Sequence, residues 1–265
     1  MTDASAWQRA ADPARRIGHV VEFHPSIGST SDRARELLAA GQEGVAVVAD
    51  EQTAGRGRRG RSWASPPGVN LMVSVAFRPN LEPEGLGHLG LGAALAVRAA
   101  CMTVAPTTRI WLRWPNDLVA DDGGKLAGVL VETSIAEGQP VDAVVGMGIN
   151  VNWARGEMPA EIGARATSLG ELGGGEVDRV ALLAALLRGV DGELSALERG
   201  LSPVPRARKA SALDGRWVQV ETGNGALSGT VVGIDDDGAL LLEADGERHA
   251  LHVGEVVAVR DVVPA

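Results

Sequence analysis

Residues 55–63 read GRGRRGRSW, with four arginines and three glycines inside seven positions. Guanidinium groups make forked, charge-assisted hydrogen bonds to carboxylate or phosphate, and glycine leaves the backbone free to close around such an anion. As a string, Gly55, Gly57 and Gly60 satisfy the dinucleotide pattern G-x-G-x-x-G. The same stretch approaches a P-loop, with Arg61 where lysine belongs. Both motifs work only if a helix starts at once, because its N-terminal N–H groups hold the phosphate. Here Pro66, Pro67 and Gly68 follow and forbid that helix. What remains is a long loop between two strands, floppy when empty and able to order over an anionic ligand. A solvated basic loop is the plain alternative. Trp63 adds a flat surface suited to a nucleobase or an apolar ligand.

A second cluster lies at RWPNDLVADDGGKLAGVLVE, residues 113–132. Trp114, Pro115, Asn116 and Asp117 come directly after a strand, and Lys125 opens the next one, followed by Gly128. A carboxylate, an amide and a lysine at strand ends can hold a metal-bound polyphosphate and a reacting carboxylate. The competing reading is a polar turn with an exposed lysine. The two clusters in one chain favour chemistry on an activated acid.

Composition narrows the classes. The chain has 265 residues and a net charge of −9, so the arginine loop is local chemistry and not a global field. It has no tyrosine and two phenylalanines, which argues against a nucleic-acid-binding module built on stacked bases. Cys101 is the single cysteine and sits in an apolar run, which reads as a small buried hydrophobe. The five histidines are scattered without metal-ligand spacing. No secretory signal and no bilayer-length apolar run is read, so a soluble cytoplasmic protein with no membrane partner is expected.

These clusters need a scaffold. Residues 1–18 read as a mobile or loosely docked arm. Strands are expected at 19–24, 45–50, 70–77, 108–114, 126–132 and 142–150. Between the first two, Ser29 caps a helix that Gly41 stops. A second helix ends at Pro106, and a third, over 177–198, keeps six Leu and Val on one face. After the prolines at 203 and 205, short strands separated by turn signals suggest a small β-barrel over 213–265. The expectation is an α+β fold, with a mixed-sheet catalytic domain over 19–212 ahead of that barrel.

The paired motifs resemble the biotin protein ligases, also called holocarboxylase synthetases. Supporting stretches are GSTSDRA at 28–34, EQTAGRGRRGRSW at 51–63, GVNLMVSVAFRP at 68–79, GMGINV at 146–151 and ATSL at 166–169. The resemblance implies the class II synthetase-like fold shared with lipoate ligases, followed by an SH3-like barrel. It implies ATP-dependent formation of biotinyl-5′-adenylate and transfer of biotin to a lysine of a biotin carboxyl carrier protein domain. By the same resemblance Ser29, Thr30, Gln52, Arg56, Gly57 and Arg58 hold the biotin head, and Lys125 neutralises the carboxylate and α-phosphate. Gly128 leaves room for the valeryl chain. Arg61, Trp63, Asn116 and Asn150 face ATP, with Trp63 near the adenine and Asn150 on its edge, and Asp117 assists Mg2+. Ser31 and Arg113 depart from the family's usual Asn and Lys, so no role is carried onto Ser31. Only about 20 residues precede VVEFH, so a DNA-binding repressor role is not expected. A lipoate ligase or octanoyl transferase of the same fold is the nearest alternative.

Overall fold

Runs rich in β-branched residues build the larger of two sheets, and two of its strands are buried on both faces. The structure, a computed structural model, describes residues 4–136, 139–223 and 225–260. Its helices are α1 (Ala4–Gln8), α2 (Thr30–Ala39), α3 (Leu86–Val104), α4 (Ala160–Gly163), α5 (Leu169–Gly173), α6 (Arg179–Glu198) and α7 (Val204–Lys209). The first seven strands are β1 (Val21–His24), β2 (Ala46–Ala49), β3 (Leu71–Phe77), β4 (Ile110–Arg113), β5 (Asp117–Ala120), β6 (Lys125–Ala136) and β7 (Gln139–Ile149). They form a mixed sheet in the order β1-β2-β3-β7-β6-β5-β4, parallel only between β1 and β2. Period-two alternation divides the side chains between two layers. Ala46, Val48, Val73 and Val75 join the main core with α3 and α6. Val45, Val47, Ala76 and Val144 pack instead against Ala34, Leu37 and Leu38 of α2. Ser74 lies between Val73 and Val75 and so faces the α2 layer, where its hydroxyl meets those of Thr30 and Ser31.

The C-terminal strands are β8 (Trp217–Thr222), β9 (Gly225–Ile234), β10 (Leu240–Ala244), β11 (Glu247–Leu251) and β12 (Glu255–Arg260). They make an antiparallel sheet in the order β11-β10-β9-β8-β12, a small SH3-like barrel. The indole N–H of Trp114 donates to the Gly238 carbonyl at 3.0 Å, and Arg208 pairs with Asp236 at 2.7 Å. These contacts fix the barrel beside the end of β4, next to the WPND turn.

Three expectations are corrected. The N-terminal segment is not a loose arm over residues 4–18. Trp7 is buried and stacks on Phe23 at 5.3 Å, with the Arg179 guanidinium 5.3 Å from its ring. Ala10 and Ile17 are fully buried, and the Ile17 N–H donates to Asp191. Glycine permits the docking at position 44, where a Cβ would stand 2.1 Å from the Arg16 carbonyl oxygen. An Ala/Arg-rich stretch reads as mobile by composition, but its few apolar anchors dock it against the core. Residues 1–3 of the expected arm and 261–265 of the expected barrel lie outside the described residues.

The apolar segment Pro83–Val104 is in fact long and apolar enough to cross a membrane by length and composition. Its apolar character is used inside the molecule: Leu89, Leu91, Ala94, Val97 and Cys101 are buried in the main core. Finally, β5 is a strand absent from the expected set. It pairs with β4 on one side and β6 on the other, and this meander carries the charged end of the site.

Candidate functional site

A cavity of about 570 Å³ opens on the α2 side of the sheet and reaches the barrel. Its size is that of a small-molecule site. The cations Arg56, Arg58, Arg61, Arg113, Lys125, Arg155 and Arg165 line it, against Asp117, Asp122 and Glu255. In a chain of net charge −9 this is a concentrated positive field, which suits an anionic ligand.

The inner end is a cradle of hydroxyls and an amide. Ser29 caps α2, its Oγ accepting from the Asp32 N–H at 3.4 Å. Gln52 is brought alongside by a parallel bridge between Ile27 and Gln52. Its Oε1 accepts from the Thr30 N–H at 2.8 Å and from the Thr30 hydroxyl at 3.0 Å. The Ser74 hydroxyl lies 2.8 Å from Thr30 Oγ and 3.0 Å from Ser31 Oγ. With each hydroxyl donating once, the chain runs from Ser31 through Ser74 and Thr30 to Gln52. That leaves the Gln52 amide N–H groups for a ligand. Ser31 and Ser74 belong to this cradle although sequence reasoning assigned neither a role. Isolated serines in a helix start and a strand give no signal until the fold joins them.

The floor is glycine. Gly128 on β6 and Gly148 on β7 are cross-strand partners. A Cβ at 148 would come 2.6 Å from Cε2 of Trp63, and one at 128 would come 3.3 Å from Cζ3. The indole therefore lies on this floor. The space above Gly128, expected to receive an acyl chain, holds Trp63 and the end of the Lys125 side chain. Lys125 Nζ stands 5.6 Å from the Trp63 ring. The Trp63 indole N–H is buried without a hydrogen-bond partner among the described residues.

The charged end comes from the β4–β5–β6 meander. Arg113 and Asp117 are cross-strand partners, and a register shift between Leu118 and Val119 displaces the start of β6. Bulges of this kind re-aim side chains. Lys125 Nζ reaches Asp117 Oδ1 at 2.7 Å, while Arg113 Nη2 holds Asp117 Oδ2 at 3.2 Å. Asn116 donates through Nδ2 to the Val129 carbonyl, and its Oδ1 accepts from Arg58 at 3.2 Å. Asp117 is committed to two cations, Asn116 is tied to backbone and loop, and no cluster of three His, Cys, Asp or Glu exists among the described residues. These residues do not fit a protein-held Mg2+ site. Asn150 is buried, with Nδ2 3.3 Å from the Lys125 carbonyl, and braces the start of β6.

The arginine–glycine loop is drawn down over this arrangement. The Gly57 N–H donates to the Arg61 carbonyl at 2.6 Å, and Arg58–Gly60 form one 3₁₀ turn. Arg56 grips Asp32 with two hydrogen bonds, at 2.9 and 2.8 Å, and holds that carboxyl below its ordinary range. Arg58 is half-buried, and burial pulls its guanidinium below the usual value. Arg61, expected to face ATP, pairs with Glu255 of the barrel. At the opposite rim Arg155 pairs with Asp122 at 3.0 Å, a feature that sequence reasoning missed. The Asp122 carboxyl is held low first by the Gly124 N–H and then by Arg155.

Fold and site together define the class: a mixed-sheet α+β ligase domain with a C-terminal barrel closing one side of an anion-collecting cavity. Residues 23–150 match the Biotin/lipoate A/B protein ligase family, and residues 215–258 match the Biotin protein ligase C terminal domain. The chain belongs to the biotin protein ligase family. It is 36% identical to the biotin--[acetyl-CoA-carboxylase] ligase of Mycobacterium tuberculosis, over 86% of this chain and 84% of that one. Among solved structures, the biotin protein ligase from Aquifex aeolicus in complex with biotin and ATP has a TM-score of 0.78 at 31% identity, covering 92% of this chain and 99% of that one. The biotin protein ligase from Leishmania major in complex with biotinyl-5-AMP has a TM-score of 0.60 at 26% identity, covering 88% and 98%.

Proposed function

We propose that this protein joins biotin to ATP as biotinyl-5′-adenylate and transfers the biotinyl group to a lysine of a biotin carboxyl carrier protein domain. The observation that carries the reading is the place of Lys125. Its ammonium stands over the Trp63 indole and the glycine floor, between the hydroxyl–amide cradle and the arginine-rich mouth. Biotin's ureido head suits the cradle of Ser29, Thr30 and Gln52, which offers both donors and acceptors. Its carboxylate then falls near Lys125 once Trp63 lifts to admit the acyl chain.

No enzyme nucleophile is required. A carboxylate oxygen of biotin attacks the α-phosphorus, the new O–P bond forms, and pyrophosphate leaves. The obstacle is repulsion between two anions, which Lys125, Arg113 and the loop arginines offset in a pre-arranged field. The Asp117 carboxylate orients Lys125 and is released from it as substrate charge arrives. In the second step the acceptor amine attacks the acyl carbon and AMP departs. The intermediate is hydrolysed readily by water, so a loop folded over it also protects it. Magnesium would enter with the nucleotide's phosphates, since Asp117 still pairs with Arg113 after leaving Lys125 and Asn116 stays on the Val129 carbonyl.

An octanoyl transferase working through a cysteine thioester is disfavoured by Cys101, which is fully buried with its thiol pushed up to about 12. A free, unreactive thiol and an ATP substrate fit action in the cytoplasm. The test is direct: incubate the protein with ATP, magnesium and a carrier domain, adding either biotin or lipoate, and weigh the carrier by mass spectrometry. A mass increase from biotin is expected. Modification by lipoate alone, or none at all, would overturn the reading.

A further inference from the structure

The barrel presents two carboxylates that disfavour each other. Glu221 on β8 and Glu255 on β12 are direct cross-strand partners. Like charges in that position destabilise a sheet. Both are answered from outside the barrel, by the arginine–glycine loop. Arg59 Nη1 lies 3.9 Å from Glu221 Oε2 and 3.5 Å from the Glu221 carbonyl oxygen. Arg61 pairs with Glu255, and Arg58 donates to the Gly254 carbonyl at 3.2 Å. Arg59 makes its contact from a left-handed backbone, with φ 55, which is unfavourable for a side chain of its size. Such a conformation persists only where its surroundings over-determine it.

We propose that Glu221 and Glu255 are positioning residues for the loop: the barrel is its clasp, holding Arg59 and Arg61 so that Arg58 and Trp63 stay over the cavity. The unfavourable Glu–Glu pairing inside the barrel is offset by the loop only when the loop is down. The clasp acts through the loop, and neither carboxylate enters the chemistry. The proposal rests on the ligase reading only for what the loop covers.

Limited trypsin digestion of the full chain tests it, because the loop carries four arginines. Without ligands, Glu221→Gln and Glu255→Gln should each speed cutting after Arg56–Arg61 about two- to fivefold, the scale of one solvent-screened ion pair. The double variant should be cut faster still. Its Tm should equal or exceed that of the parent, since a like-charge pair has been removed. Cutting at the parental rate overturns the clasp. So does faster cutting with a lowered Tm, which would make the carboxylates general supports of the barrel. Biotin with ATP should slow cutting of parent and variant alike. If they protect neither while the ligand-free difference stands, the ligase reading fails and the clasp survives.

Discussion

Trp63 of the loop and Gly148 of β7 touch so closely that a single added carbon at position 148 would stand 2.6 Å from the indole. The contact joins the one aromatic side chain of the loop to the glycine floor of the sheet. Gly148→Ala should therefore lift Trp63 from its seat. Overpacking costs about 1–3 kcal/mol, and here a loop can yield where a core could not. Because Trp63 must lift in any case to admit the acyl chain, the damage should come from the methyl group standing on the floor that chain crosses, as a loss of about tenfold or more in kcat/KM for biotin. The Tm should move by only a few degrees. Unchanged kinetics would mean that the acyl chain does not run over Gly148 in the working protein.

Lys125 separates binding from chemistry. Its ammonium pairs with Asp117 at 2.7 Å at the point where two anionic reactants would meet. Lys125→Ala should reduce adenylate formation roughly 10²- to 10³-fold, the usual effect of removing one group that stabilises developing charge. Biotin binding, measured by calorimetry, should weaken by a much smaller factor. An equal loss in both would reduce Lys125 to a binding residue.

The N-terminal segment carries stability. Trp7 is 1% exposed, stacked on Phe23 and covered by Arg179. Trp7→Ala should cost about 3–5 kcal/mol in denaturant unfolding, as large-to-small changes in a core do. A cost below about 1 kcal/mol would return the segment to the loose arm that its composition suggests.

That contrast shows what kind of information a sequence holds. Strands β2, β3 and β7 and the cap at Ser29 were legible because each is decided within a few residues by periodicity and side-chain chemistry. The loop and the WPND–Lys cluster were legible because arginine, glycine and lysine announce anion chemistry. Strand β5 was not, since its four residues follow directly on a polar turn and become a strand only between β4 and β6. The contact of the Asn150 amide with the Lys125 carbonyl was not legible, since only the pairing of β6 with β7 brings the two together. Glu255 and Arg61 lie almost 200 positions apart, and only the docking of the barrel joins them.

The Arg56–Asp32 tie should be insensitive to pH across the physiological range. Hydrogen bonds from Arg56 hold the Asp32 carboxyl below its ordinary 3.8. A carboxyl lowered in the folded state contributes stability above its unfolded pKa and loses it as pH falls through the lower folded value. Amide hydrogen exchange at residues 56–61, corrected for intrinsic rate, should therefore show constant protection from roughly pH 5 to 8. Protection should fade only below the ordinary carboxylate pKa. A step near neutrality would assign the tie to another group.

Arg58 decides how well the intermediate is kept. Its guanidinium spans from Asn116 Oδ1 to the Gly254 carbonyl, 3.2 Å to each, and so links the loop to both the catalytic sheet and the barrel. It is half-buried, and Arg58→Gly removes both links while adding backbone freedom to a stretch that already holds three glycines. Hydrogen bonds from a charged group are worth about 1.5–3 kcal/mol each, so the adenylate should escape roughly tenfold faster or more. Adenylate formation should suffer less, because Lys125 and Arg113 remain. The escaped mixed anhydride would acylate whatever amines it meets. With biotin, ATP and a bystander protein but no carrier domain, the variant should therefore label bystander lysines well above the parent's level. Labelling no faster than the parent's would show that the loop does not retain the activated acid, however closely it lies over the cavity.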